Sequence, residues 1–236
     1  MKMHFQGERV LAVVAHPDDA ELLCAGTLAR ARHDGAAVGI CVLCRGDKGQ
    51  PARRIRNLAA VRRKEMAVSA GLLGSQLFPG ACPDGTLMDG PQQRLKLVEV
   101  LRTFRPTLLL AHAPEDYHPD HQAASALVEA VSWLCASPGF KTGLPALGSA
   151  PAIWWMDTLQ MNGFVPGFYI DISEFLELRV RMLACHGSQL KRGNDPGFSP
   201  LAELMRTQAR VRGMQAGVAA AEAFRAHDAF KRARAW

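Results

Sequence analysis

Two uninterrupted apolar runs, each ending in a histidine/aspartate turn, organise the chain. The first is Val10-Leu11-Ala12-Val13-Val14-Ala15, and it stops at His16-Pro17-Asp18-Asp19. The second, Thr107-Leu108-Leu109-Leu110-Ala111, leads through His112-Ala113-Pro114-Glu115-Asp116-Tyr117 into His118-Pro119-Asp120-His121. An apolar run without polar alternation fits a strand buried on both faces, as in a parallel sheet. Pro17 cannot continue a ladder, and Pro119 suits the first turn of a helix. Both polar clusters therefore sit just past the carboxyl ends of buried strands, where open α/β sheets place their ligands.

The remaining pattern alternates between the two periods. It predicts helices over 21–34, 58–72, 92–104, 122–134, 173–186 and 200–216. It predicts strands over 9–15, 38–43, 76–78, 107–111, 153–156 and 168–171. Such alternation argues for an α/β fold: a Rossmann-like three-layer sandwich, its sheet mostly parallel and its helices on both faces. No repeat or linker divides the sequence, so one domain over 1–236 is expected. The Gly- and Pro-rich stretch 137–151 is expected to loop over the site, and the Ala- and Arg-rich tail after Ala216 to be helical.

Composition narrows the class. No apolar run is long enough for a membrane span, and the start of the chain lacks a hydrophobic signal region, so a cytoplasmic protein without membrane partners is expected. The six cysteines show no disulfide-framework spacing. Cys41-Val42-Leu43-Cys44 has the form of a redox or zinc pair, but it lies inside a strand pattern with no second pair, which favours buried small hydrophobes. A net charge of +6 reflects arginine clusters. Neither aromatic interleaving nor a nucleic-acid motif accompanies them, so nucleic acid is not an expected partner. The exception is residues 45–57, a loop after the second strand whose basic residues would suit a polar or anionic substrate.

The clusters themselves carry the chemistry. Two imidazoles and a carboxylate suit Zn²⁺ with an open position for water, and His16, Asp19 and His121 are the expected metal ligands. Asp18, beside a ligand, is the natural base for that water. His118 precedes His121 by about one helical turn and would meet the oxyanion or protonate the departing amine. Asp120 is expected to orient His118 by accepting its other N–H. Alone, the first cluster is most often just a polar turn, and the second reads about as well as a helix cap with two solvent-facing histidines. Two clusters, each after a buried-strand pattern, make those readings much poorer.

These residues carry a resemblance. Ala15-His16-Pro17-Asp18-Asp19, the following 20–29, and the downstream His118-Pro119-Asp120-His121 resemble the PIG-L/LmbE-like zinc-dependent N-deacetylases. Glu115 to His121, Met161-Asn162-Gly163-Phe164, Tyr169 to Ser173 and Ser188-Gln189 are similar to the branch with the bacillithiol-pathway N-acetylglucosaminyl-malate deacetylase. The resemblance implies removal of acetyl from an N-acetylglucosamine unit, the same ligands and catalytic groups, and a homo-oligomer. It also implies that Arg63, which matches a family arginine, reaches the substrate. Tyr117 stands where that branch commonly has arginine, which weakens the case for malate and leaves a phenol to meet the sugar. Three competitors remain. A Rossmann nucleotide site lacks its Gly-rich turn here. A non-catalytic sugar- or metal-binding protein would be favoured by loss of Asp18 or His118, and both are present. A family amidase acting on a thiol conjugate stays open.

Overall fold

The computed structural model describes residues 4–194 and 200–228. Among them, seven strands form one sheet: β1 (Arg9–Val14), β2 (Ala37–Cys44), β3 (Gln76–Cys82), β4 (Leu108–His112), β5 (Ala152–Met156), β6 (Phe168–Asp171) and β7 (Ala221–Ala226). Their order across the sheet is β3-β2-β1-β4-β5-β7-β6. The first five are parallel neighbours, and β7 runs antiparallel to both β5 and β6. The helices are α1 (Asp19–Leu23), α2 (Ala25–His33), α3 (Leu58–Leu73), α4 (Pro91–Phe104), α5 (Pro119–Leu134), α6 (Leu176–Ala184), α7 (Gly187–Leu190) and α8 (Leu201–Ala216).

The apolar run of β1 divides its side chains between two cores. Val10, Ala12 and Val14 pack with residues of α1, α2, α3, α6 and α8, whereas Leu11 and Val13 pack with those of α4 and α5. This is the three-layer α/β sandwich the alternation predicts. After β1 the chain moves outward through β2 and β3, then returns to place β4 on the other side of β1, with Val13 opposite Ala111. Strand order reverses there, so the ends of β1 and β4 open onto one crevice.

Four expectations are corrected. The first helix breaks at Cys24. Opposite charges meet the break: buried Arg179 donates to the carbonyls of Glu21 and Leu22, and the Glu222 carboxylate accepts from Gly26 N and Thr27 N. Those are the groups that helix ends leave unpaired. A Cβ on Gly26 would lie 2.9 Å from Glu222 Oε1, so glycine keeps the carboxylate close. β3 continues through Pro79 and Gly80, which an edge strand tolerates. The tail after Ala216 is not all helix: it turns at Gly217 and supplies β7, whose Ala221 to Phe224 are buried in the sheet. Burial between β5 and β6 outweighs alanine's helical preference; residues 229–236 of that tail lie outside the described part. Finally, 137–151 is a loop but lies away from the crevice. Arg102 holds the carbonyls of Ser137 and Leu144, and Leu147 enters the α4/α5 core.

Candidate metal and catalytic centre

β1 and α1 deliver one half of the centre. At Pro17 the chain leaves the sheet, and Asp18 adopts φ 103°, a left-handed conformation that costs an L-residue energy and recurs at functional sites. The turn aims Asp18 and Asp19 into the crevice. Asp19 Oδ2 accepts from His16 N at 2.7 Å, which locks the turn. β4 and α5 deliver the other half. His118 caps α5, its Nδ1 accepting from Asp120 N at 3.1 Å, so the neutral ring carries its proton on Nε2.

Three ligand-type atoms form a nearly equilateral triangle. His16 Nδ1 lies 3.3 Å from His121 Nε2 and 3.5 Å from Asp19 Oδ2, and His121 Nε2 lies 3.4 Å from Asp19 Oδ2. A tetrahedral ion bound at about 2.0–2.1 Å sets its ligands about 3.3–3.4 Å apart, so the donors fit zinc by type and spacing. The outer nitrogens of both rings face carboxylates. His16 Nε2 lies 2.9 Å from Asp120 Oδ2, and His121 Nδ1 lies 3.0 Å from Asp116 Oδ1. Such partners fix the tautomer that turns the inner lone pair toward a metal. Burial opposes ionisation of Asp19, yet the charge of His121 and contacts from His112, His121 and His16 hold its carboxyl well below the usual range.

The sequence reading gave His112 no role. Buried at the end of β4, it stacks on His121 with ring centroids 3.9 Å apart. Burial and the His121 charge push its pKa down to about 4, so the ring is neutral at physiological pH. Its Nε2 lies 3.2 Å from Asp19 Oδ2 but already accepts the N–H of Ala15 at 3.1 Å, which makes His121's outer neighbour a packing wall rather than a ligand. Asp116, the second omission, accepts from His118 N at 3.0 Å while facing His121.

Two expected contacts are replaced. Asp120 does not orient His118 through its side chain; its carboxylate faces His16 and accepts from Gly85 N and Leu87 N. Arg63 is exposed and lines a separate hollow with Pro17 and Cys44. Its neighbour Arg62 reaches the centre instead, because successive helical side chains point about 100° apart. Arg62 is 3% exposed, donates to the Pro17 carbonyl, and lies 2.8 Å from Asp18 Oδ1. Leu58, Arg62, Met66, Ser69 and Leu73 share the buried stripe of α3, and that phase was available in the sequence. Behind Asp18, Ser69 Oγ donates to the buried Glu21, and His186 Nε2 lies 3.2 Å from the same carboxylate.

A cavity of about 400 Å³ opens over the triangle. Leu22, Leu23, Leu159 and Leu201 give it apolar walls, while Lys48, Gln189 and Tyr117 stand among its polar ones. Tyr117 is 66% exposed and belongs to the rim. Of the basic loop 45–57, Lys48 and Gly49 reach this cavity; Arg54 and Arg56 line a neighbouring cleft.

An α/β sheet with a His/Asp centre at its switch point defines a class of enzyme-like scaffolds with a candidate metal face. The chain belongs to the PIG-L family, whose description is GlcNAc-PI de-N-acetylase and whose model matches residues 11–132. Diacetylchitobiose deacetylase of Thermococcus kodakarensis is 30% identical over 195 residues, spanning 77% of this chain and 70% of that protein. The N,N'-diacetylchitobiose deacetylase structure from Pyrococcus horikoshii superposes with a TM-score of 0.82 at 27% identity, covering 94% of this chain and 84% of that one. The 4-oxalmesaconate hydratase of Pseudomonas putida is 23% identical over 197 residues, covering 79% of this chain and 76% of that protein.

Proposed function

We propose that this chain is a zinc-dependent amide hydrolase that removes the acetyl group from an N-acetylglucosamine-type sugar or glycoside. The observation that carries the reading is the His16/Asp19/His121 triangle, with Asp18 and His118 beside it in one cavity. The deacetylase relatives supply the substrate class.

A divalent ion held by His16, Asp19 and His121 would supply Lewis acidity toward water and the acyl oxygen. The chain's own groups do the rest. Burial raises the Asp18 pKa while Arg62 restrains the rise, which leaves a carboxylate with more appetite for a proton than an exposed one. Asp18 accepts the proton of the attacking water and is placed to pass it to the departing amine. Burial and the charges of His121 and His16 keep the His118 pKa low. A neutral ring with its proton on Nε2 is then the donor for the oxygen on which negative charge develops. Tyr117 and Lys48 at the cavity wall are left to bind sugar hydroxyls or an aglycone.

The test is acetate release from a panel of N-acetylated sugars and glycosides, using chelator-treated protein with and without added zinc. Zinc-dependent release from an N-acetylglucosamine compound supports the reading. No release from any panel member by fully loaded protein overturns it. In the same panel, a preference for the malate glycoside over free N-acetylglucosamine above about a hundredfold would show that Tyr117 does not disfavour malate.

A further inference from the structure

A second set of ligand atoms converges on the opposite edge of the His16 ring. Cys44 Sγ, a ring nitrogen of His16 and a carboxylate oxygen of Asp120 all lie within 4.8 Å of one another. Nδ1 of His16 faces Asp19 and His121, so Nε2, 2.9 Å from Asp120 Oδ2, is the nitrogen on this side. The backbone holds the three together. Cys44 ends β2 beside β1, and its N–H donates to Ala15 O at 2.8 Å, one residue before His16. Asp120 is fixed by the amides of Gly85 and Leu87.

Cys44 is 1% exposed and has no place in the chemistry proposed above. It does not line the substrate cavity. It borders a separate hollow of about 280 Å³ with Pro17, Met66 and Gly80. A thiol, an imidazole and a carboxylate make a softer donor set than the catalytic triangle, and thiolates select zinc and heavier thiophilic ions.

We propose that Cys44, Asp120 and His16 through Nε2 form a second metal site, filled by zinc in excess or by cadmium, that inhibits the enzyme through the shared ligand His16. Binding replaces the Cys44 S–H and His16 Nε2–H protons, both released to solvent, with bonds to the ion. It also takes Asp120 away from its contact with His16, so the catalytic ligand loses its support. His16 and Asp120 also line the substrate cavity while Cys44 does not, and the expected effect is a fall in kcat that depends on Cys44. The inhibition, though not the site, rests on the function proposed above.

Metal-free protein, held reduced by a phosphine, is titrated with cadmium. Bound metal is counted by elemental analysis and thiolate ligation is read from the ultraviolet cadmium–sulfur charge-transfer band. The wild type should bind two equivalents, the charge-transfer band growing with one of them. Cys44→Ser and Cys44→Ala should each bind one equivalent without the band. His121→Ala, which lacks a catalytic ligand, should keep the band. Excess zinc should lower wild-type kcat about tenfold or more, the range for loosened outer partners, and leave both Cys44 variants unaffected. A wild type without the band, or a band unchanged in both Cys44 variants, overturns the site. Failure of all acetate release with the band intact counts against the proposed function and leaves the site supported.

Discussion

Arg62 and Asp18 form a buried ion pair, Nη2 to Oδ1 at 2.8 Å, that ties the middle of the β1–α1 turn to α3. The same guanidinium holds the Pro17 carbonyl, so one side chain fixes both the left-handed turn and its carboxylate. Arg62→Ala would leave Asp18 buried without its counter-charge. Removing one partner of such a pair costs about 3–5 kcal/mol. Chemical denaturation should show a loss of that order, with turnover falling too. Arg63→Ala, on the exposed side of the helix, should leave stability and kcat/KM near wild type; a larger effect from Arg63 than from Arg62 would reverse the assignment.

Binding and chemistry should separate cleanly. His121→Ala removes a corner of the triangle and should abolish stoichiometric zinc by elemental analysis. Asp18→Asn keeps the shape and the three ligands. Its zinc content should match wild type while turnover drops about 10²-fold or more. His118→Ala should behave like Asp18→Asn.

Asp120 supports His16 and draws on two loop amides. Asp120→Ala should weaken zinc about 10–100-fold in a chelator competition, because the ring loses the group that fixes its tautomer. If Asp120 served His118 instead, zinc affinity would hold and only turnover would fall.

The buried Glu21–His186 pair gives a pH signature. Burial opposes the charge on each, but each partner's charge dominates: Glu21 falls below its ordinary 4.5 and His186 rises above 6.5. Asp18 adds to the His186 rise and Arg62 opposes it. Glu21 stabilises above about pH 4.5 and loses that contribution as pH falls through its folded pKa. His186 contributes fully below about pH 6.5 and loses its share as pH rises through its folded pKa. The stability gap between wild type and His186→Gln should therefore peak between those values, at about 1.5–3 kcal/mol, and shrink in alkali. A gap that widens steadily above pH 7 would refute the pair.

What the sequence revealed depended on how local each signal was. The runs before His16 and His112 exposed the parallel centre of the sheet, because burial on both faces leaves no polar residue to interrupt them. The motifs 16–19 and 118–121 bring six polar side chains to one crevice for the same reason: each is fixed by its own strand end. Asp120 was placed against the wrong histidine, since its partner comes from a strand distant in sequence. Arg62, not Arg63, lies on the buried phase of α3, a distinction that the helix period carries and the family match does not. β7 was hidden altogether: its alanines favour a helix, and only the gap between β5 and β6 makes them a strand.

That gap also orders events during synthesis. β6 lies at the edge of the sheet, yet its neighbour β7 is made last, after α8. The five parallel strands that carry the His/Asp centre can pair as they emerge from the ribosome. β6 must wait unpaired until residues 221–226 are released. The buried Asp157–Arg212 contact, between the segment after β5 and α8, waits as well. Leu159, a wall of the cavity, belongs to that waiting segment. The nascent protein thus gathers its candidate ligands before it can enclose them, and completion of the cavity is tied to arrival of the last described strand.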